Sequence, residues 1–170
     1  GGASWRMKNL IEIGRIISGG DEAVLEELTA CVTNPAAYFA AHAARYMERS
    51  IDSAGEPDLI RWIGMVDILE EHNFVCERDW KDEKEDFAYF FGNLAGIKRF
   101  GLELDPGWLD EDGDIEQWCG ILNEKWAPHQ CCAGAINIDS DSFVLFPCPL
   151  SQLEQLKKLA ETTDYSIERV

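Results

Sequence analysis

Cys131-Cys132-Ala133-Gly134-Ala135-Ile136-Asn137-Ile138, then Asp139-Ser140-Asp141-Ser142, then Phe143-Val144-Leu145-Phe146-Pro147-Cys148 is the stretch on which the fold turns. Two apolar runs of strand length joined by a run of turn formers predict an antiparallel hairpin. Pro147 and Pro149 end its second strand. Downstream, Ser151-x-x-Glu154 reads as a capping box at the head of a helix carrying Leu153, Leu156 and Leu159. Tyr165 to Val170 closes the chain as a short strand. Upstream, Phe74 to Trp80 alternates like a strand, with Phe74, Cys76 and Trp80 on one side. Asp82 is placed to cap a helix bearing Phe87, Phe90, Phe91, Leu94 and Ile97, ended by Gly101. After a loop at 102–113, Asp112 or Asp114 caps a helix with Ile115, Trp118, Cys119, Leu122 and Trp126, and Pro128 stops it.

Residues 74–170 therefore read strand, two helices, hairpin, helix, strand. This is the βαββαβ order of a ferredoxin-like antiparallel sheet with an extra helix in its first crossover. Residues 1–73 read as helices throughout. Leu10, Ile13, Ile16 and Ile17 recur at helical spacing up to Gly19-Gly20, and Asp21 caps a second helix. Asn34-Pro35 opens a third helix, which carries Tyr38, Phe39, Ala43, Tyr46 and Met47. Pro57 opens a fourth, ended by Asn73. The fold class expected is α+β, with the N-terminal helices covering the sheet face that the ferredoxin-like helices leave open. Gly1-Gly2-Ala3-Ser4 reads as foreign to the protein, with Met7 as its start.

The chain has 170 residues, 15 Lys and Arg against 32 Asp and Glu, and a net charge of −17. Nucleic acid is a poor partner for such a surface, because phosphate binding needs a cationic face that releases counterions. No segment approaches the ~20 apolar residues of a membrane span, so a cytoplasmic protein is expected. Six cysteines without a Cys-x-x-Cys pair, in a chain that can build its own core, are expected to be free and mostly buried, behaving as small hydrophobes. With three histidines, none near a cysteine at finger spacing, no zinc site is expected.

Three features carry a family resemblance. The segments Trp80-Lys81-Asp82, Asp105-Pro106-Gly107-Trp108-Leu109-Asp110 and Asp139-Ser140-Asp141-Ser142-Phe143-Val144, behind a helical N-terminal half, resemble an uncharacterised bacterial family of unknown function. The resemblance implies a bacterial cytoplasmic protein and brings no activity, cofactor or site residue with it. In architecture and charge the chain is also similar to acidic ferredoxin-like inhibitors of bacterial ribonuclease.

Gly101 to Glu116 holds Glu103, Asp105, Asp110, Glu111, Asp112, Asp114 and Glu116, with no basic residue. The Asp110-x-Asp112-Gly113-Asp114-x-Glu116 spacing hints at a calcium loop, but the EF-hand template fails. Gly113 at its sixth position would make Trp108 the first ligand and Cys119 the twelfth. A second reading takes Glu103, Asp105, Trp108, Asp110, Glu111, Asp112 and Asp114 as a contact surface for a basic protein, charge steering the encounter and Trp108 anchoring it. Against it stands Trp108 tucking inward with Leu109, while Asp112 and Asp114 serve the following helix. No nucleophile elbow, phosphate loop or dinucleotide fingerprint occurs, so no cofactor and no catalytic residue is expected. Cys132 or Cys148 with His129 is the one nucleophile pair to weigh. The function expected is a non-enzymatic binding module of the immunity or inhibitor type. The alternative is a small-molecule-binding domain or enzyme with a pocket between the N-terminal helices and the sheet, lined by Trp62, Cys76, Phe90 and His129.

Overall fold

The computed structural model describes residues 2–170; Gly1, part of the expected foreign tetrapeptide, lies outside the described residues. The chain forms two compact units, one running to Leu69 and the other spanning Glu70–Val170.

The first unit is helical: α1 (Gly2–Ser18), α2 (Glu22–Thr33), α3 (Pro35–Ala41), α4 (Ala43–Glu48) and α5 (Pro57–Glu71), which carries the chain onward. Local chemistry sets the starts. The Asp21 carboxylate accepts the Val24 N–H at 3.0 Å, and Asn34 accepts that of Ala37 at 3.2 Å. The expected third helix is broken in two at His42, whose backbone leaves the helical region. Its ring stacks on Tyr38 at 4.1 Å, and Nδ1 lies 2.9 Å from the Tyr38 carbonyl oxygen. Gly64 of α5 lets the helices close in: a Cβ there would stand 2.5 Å from the Cys31 sulfur and 2.8 Å from the Tyr46 hydroxyl. That hydroxyl donates to the Ile60 carbonyl at 2.8 Å, so the buried phenol is satisfied.

In the second unit come β1 (Cys76–Asp79), α6 (Lys84–Gly92), α7 (Ala95–Arg99), α8 (Ile115–Trp126), β2 (Cys131–Ile136), β3 (Ser142–Pro149), α9 (Leu150–Ala160) and β4 (Ile167–Arg169). The hairpin forms as expected, with Cys132 opposite Cys148 and Ile136 opposite Val144. The helix expected from 82 to 101 is split at Asn93-Leu94. Asp82 does not cap it. Its carboxylate instead accepts from Nε and Nη2 of Arg78, each at 2.7 Å, and Glu83 precedes the helix as its N-cap without a side-chain hydrogen bond. Phe90, expected on the buried face, is exposed, and the Arg78 guanidinium lies 4.2 Å from its ring centre. The Ser151 capping box is absent as well, because α9 already starts at Leu150, behind Pro149.

The fold is α+β with a four-stranded antiparallel sheet, but the strand order is β1-β3-β2-β4. In the expected ferredoxin-like order β4 would lie beside β1; here it lies beside β2, and the hairpin occupies the centre. The change moves a helix. The crossover through α6–α8 steps over β3, and α9 steps over β2 in the same direction across the sheet, from a strand pointing the opposite way. Two right-handed crossovers of that kind fall on opposite faces, whereas the ferredoxin-like order puts both on one. Residues Val144 to Cys148 are accordingly buried without alternation.

One face carries Cys76, Leu145 and Ala133 under Phe87, Phe91, Trp118, Leu122 and Trp126. The rings form a chain, with Phe87 5.1 Å from Trp118 and Phe91 5.6 Å from Trp126. Leu153, Leu156 and Ala160 of α9 are buried outside that cluster, against β2, β3 and β4. On their side the Phe146 ring crosses Gly134, where a Cβ would stand 2.7 Å from it.

A side chain of α8 bridges the end of the β2–β4 pairing. Asn123 of α8 is 6% exposed. It accepts the Ala133 N–H at 2.8 Å and donates to the Val170 main-chain oxygen at 3.0 Å, while Val170 N–H reaches the Ala133 oxygen at 3.0 Å. A side-chain amide is thus inserted at the end of the β2–β4 ladder. Asn123→Leu keeps the volume and strands one buried donor and one acceptor. It is expected to cost about 2–3 kcal/mol, read as a lower urea midpoint with unchanged slope.

Candidate functional site

The acidic loop is held from beneath. Leu102 and Leu109 are buried, and the indole N–H groups of Trp126 and Trp118 donate to the carbonyls of Glu103 at 2.8 Å and Asp110 at 2.7 Å. Three of the seven expected contact residues shape the backbone. Asp105 accepts the Gly107 N–H at 2.8 Å, opening a 3-10 turn at Pro106–Trp108. Asp110 accepts the Asp112 N–H at 2.9 Å. Asp114 is the cap of α8, accepting the Gln117 N–H at 2.9 Å while the Gln117 side chain accepts the Asp114 N–H at 3.2 Å. Among the described residues, Glu103, Glu111 and Asp112 make no such contact through their side chains. All six carboxylates are exposed.

Trp108, the seventh, is half-buried against the aromatic cluster, and Lys125 Nζ stands 5.1 Å over its ring. It closes the loop onto the core instead of standing free. The exposed aromatic rings of this unit are Trp80, Tyr89 and Phe90.

The strand order opens a cleft of about 470 Å³ at the hairpin end of the sheet. Its floor is Ala135 and Phe143; Trp80 and Asp141 stand on one wall, Glu168 on the other, and Glu116 at the head of α8. The register explains the assembly. Trp80 N–H bonds the Asp141 carbonyl at 3.1 Å, continuing the β1–β3 pairing, and Glu168 sits opposite Ala135 on β4. Ser140, Ser142 and Ser166 add hydroxyls. Trp80 and Ser140 are visible in the sequence as individual residues. Glu168, Asn137 and Ser166 carry no signal there, because four separated segments meet only through strand order.

The cysteines follow burial. All six are buried free thiols. Cys132 and Cys148 face one another across the hairpin, and the thiol–thiol hydrogen bond lowers the Cys132 pKa while raising that of Cys148. His129, weighed as a partner for either thiol, is exposed, whereas both thiols are buried. Of the other residues weighed for a pocket, Trp62 and Cys76 are buried and Phe90 is exposed. Among the described residues no three His, Cys, Asp or Glu side chains cluster closely enough to hold a metal ion, and no helix is long and apolar enough to cross a membrane.

Fold and surface together define an acidic α+β protein with a carboxylate-rich cleft at one end of its sheet. The chain belongs to the family described as Domain of unknown function (DUF6630), which matches residues 9–170. No curated protein and no solved structure matches it.

Two outcomes follow from this geometry. Asp114→Ala should cost about 1 kcal/mol of stability through the lost cap, while Glu111→Ala stays within about 0.5 kcal/mol, both measured by urea unfolding. Burial also pushes the Cys31 and Cys76 thiols from the ordinary 9.0 up to about 12. Unfolded thiols therefore ionise first as pH rises. The stabilisation is complete below pH 9 and is lost between there and about 12, so the urea midpoint at pH 10 should fall below that at pH 7.5.

Proposed function

We propose that this protein is a non-enzymatic binding module of the immunity or inhibitor type, acting on a basic protein partner. The observation that carries the reading is the state of the Glu103–Asp114 loop. Its six carboxylates are exposed, and its backbone is fastened to the core by two tryptophan indoles. Such a surface is pre-organised: little ordering entropy is lost when a cationic face meets it. The net charge of −17 extends its reach at low salt and is screened beyond about 8 Å at physiological ionic strength. In the cleft, three serines stand with no histidine or lysine among the lining residues to take a proton from them. That composition suits recognition better than acyl transfer.

The test is kinetic. A basic protein recovered by cross-linking in cell extract, then purified, is mixed with the wild type and with a triple D110N, E111Q and D112N variant by stopped flow. The triple variant should associate about tenfold more slowly at low ionic strength, with a flatter dependence on salt. An on-rate indifferent to both salt and the triple substitution contradicts the reading.

A further inference from the structure

We infer that the cleft at the hairpin end of the sheet is a binding site for a guanidinium group, the side chain of an arginine presented by a basic polypeptide; this rests on the reading of the protein as a binder of basic partners.

Size is the first argument. A cleft of about 470 Å³ holds a long side chain and its flanking backbone and is far larger than an ion needs. Charge is the second. Glu116, Asp141 and Glu168 line it together with three serines and Asn137, and no lysine, arginine or histidine is among the lining residues, although Lys157 reaches Glu168 at 3.8 Å in an exposed ion pair. The positive end of the α8 dipole, worth about half a unit charge, is outweighed there by the Asp114 and Glu116 carboxylates.

Spacing is the third argument. The three carboxylates come from α8, the hairpin turn and β4, and are not gathered into a metal cage. Carboxylates spread around a cleft suit a cation that carries several donors on a plane, and a guanidinium has five. Aromatic surface is the fourth. Trp80 is 52% exposed at the wall and Phe143 lies on the floor. Lys81 Nζ already stands 5.1 Å over the Trp80 ring, so this indole accepts a cation from its own chain. A guanidinium can stack on such a ring while its edge donates to carboxylates, which an ammonium does less well.

The experiment titrates labelled wild-type protein with acetyl-Gly-Gly-Arg-Gly-Gly-amide, its citrulline and lysine counterparts, and free argininamide, following the Trp80 indole and Glu168 amide resonances. The arginine peptide should shift both resonances and bind about tenfold more tightly than the citrulline peptide, which has the same shape without the charge. The lysine peptide should fall between them. Argininamide binding as tightly as the arginine peptide would assign the site to the free cation and overturn the polypeptide source. D141N, E168Q and Trp80→Ala, all at exposed side chains, should each weaken arginine binding several-fold. D110N, E111Q and D112N together should leave these resonance shifts in place.

Equal binding of arginine and citrulline peptides overturns the inference. If arginine binds but only the loop variant weakens it, the cleft assignment falls and the acidic loop stands as the binding surface. If the cleft variants weaken arginine binding while the kinetic test on the loop fails, the cleft stands and the loop reading falls.

Discussion

A single buried amide ties the last strand to its neighbour. Asn123 sits at the end of the β2–β4 ladder, bridging the Ala133 N–H and the Val170 oxygen where the two strands face each other. With β4 held against β2, the hairpin becomes the centre of the sheet, α9 passes to the opposite face from α6–α8, and Glu168 arrives beside Ala135. Place β4 beside β1 and the cleft loses the wall that carries this carboxylate.

Local chemistry was legible in the chain, and non-local choice was not. Asp21, Asn34 and Asp114 announce helix starts because a cap needs only its own next three residues. The hairpin is likewise announced by Asp139-Ser140-Asp141-Ser142 between two apolar runs. By contrast, β4 pairs through three residues, Ile167 to Arg169, and its composition suits either edge of the sheet equally. Asp82 misled for a different, local reason: a cap and a bidentate arginine compete for the same carboxylate, and the winner, Arg78, lies four residues back in β1. His42 and Asn93 end their helices inside patterns that read as continuous, since apolar periodicity persists across the break.

The same contrast applies to the candidate site. The acids from Glu103 to Asp114 are contiguous, so their density is plain from the sequence, yet their roles are not. Asp105, Asp110 and Asp114 fold the loop as well as charging it. Trp108, read as the anchor, closes onto the core beneath Lys125, while Trp80, read only as a strand end, stands at the cleft. Cations are spent elsewhere. Arg78 with Asp82 and Arg49 with Asp67 form ion pairs at 2.7 Å with little exposure.

The cleft depends on the position of β4, and proton–proton contacts in solution test that position directly. Ile136 and Ile167 are register partners lying between the hydrogen-bonded pairs of their ladder, so their α-protons should approach closely and give a strong nuclear Overhauser effect. That cross-peak, with none from Ile167 to Glu77 of β1, is the predicted result. A strong Ile167–Glu77 contact in its place would restore the interleaved strand order and dismantle the cleft.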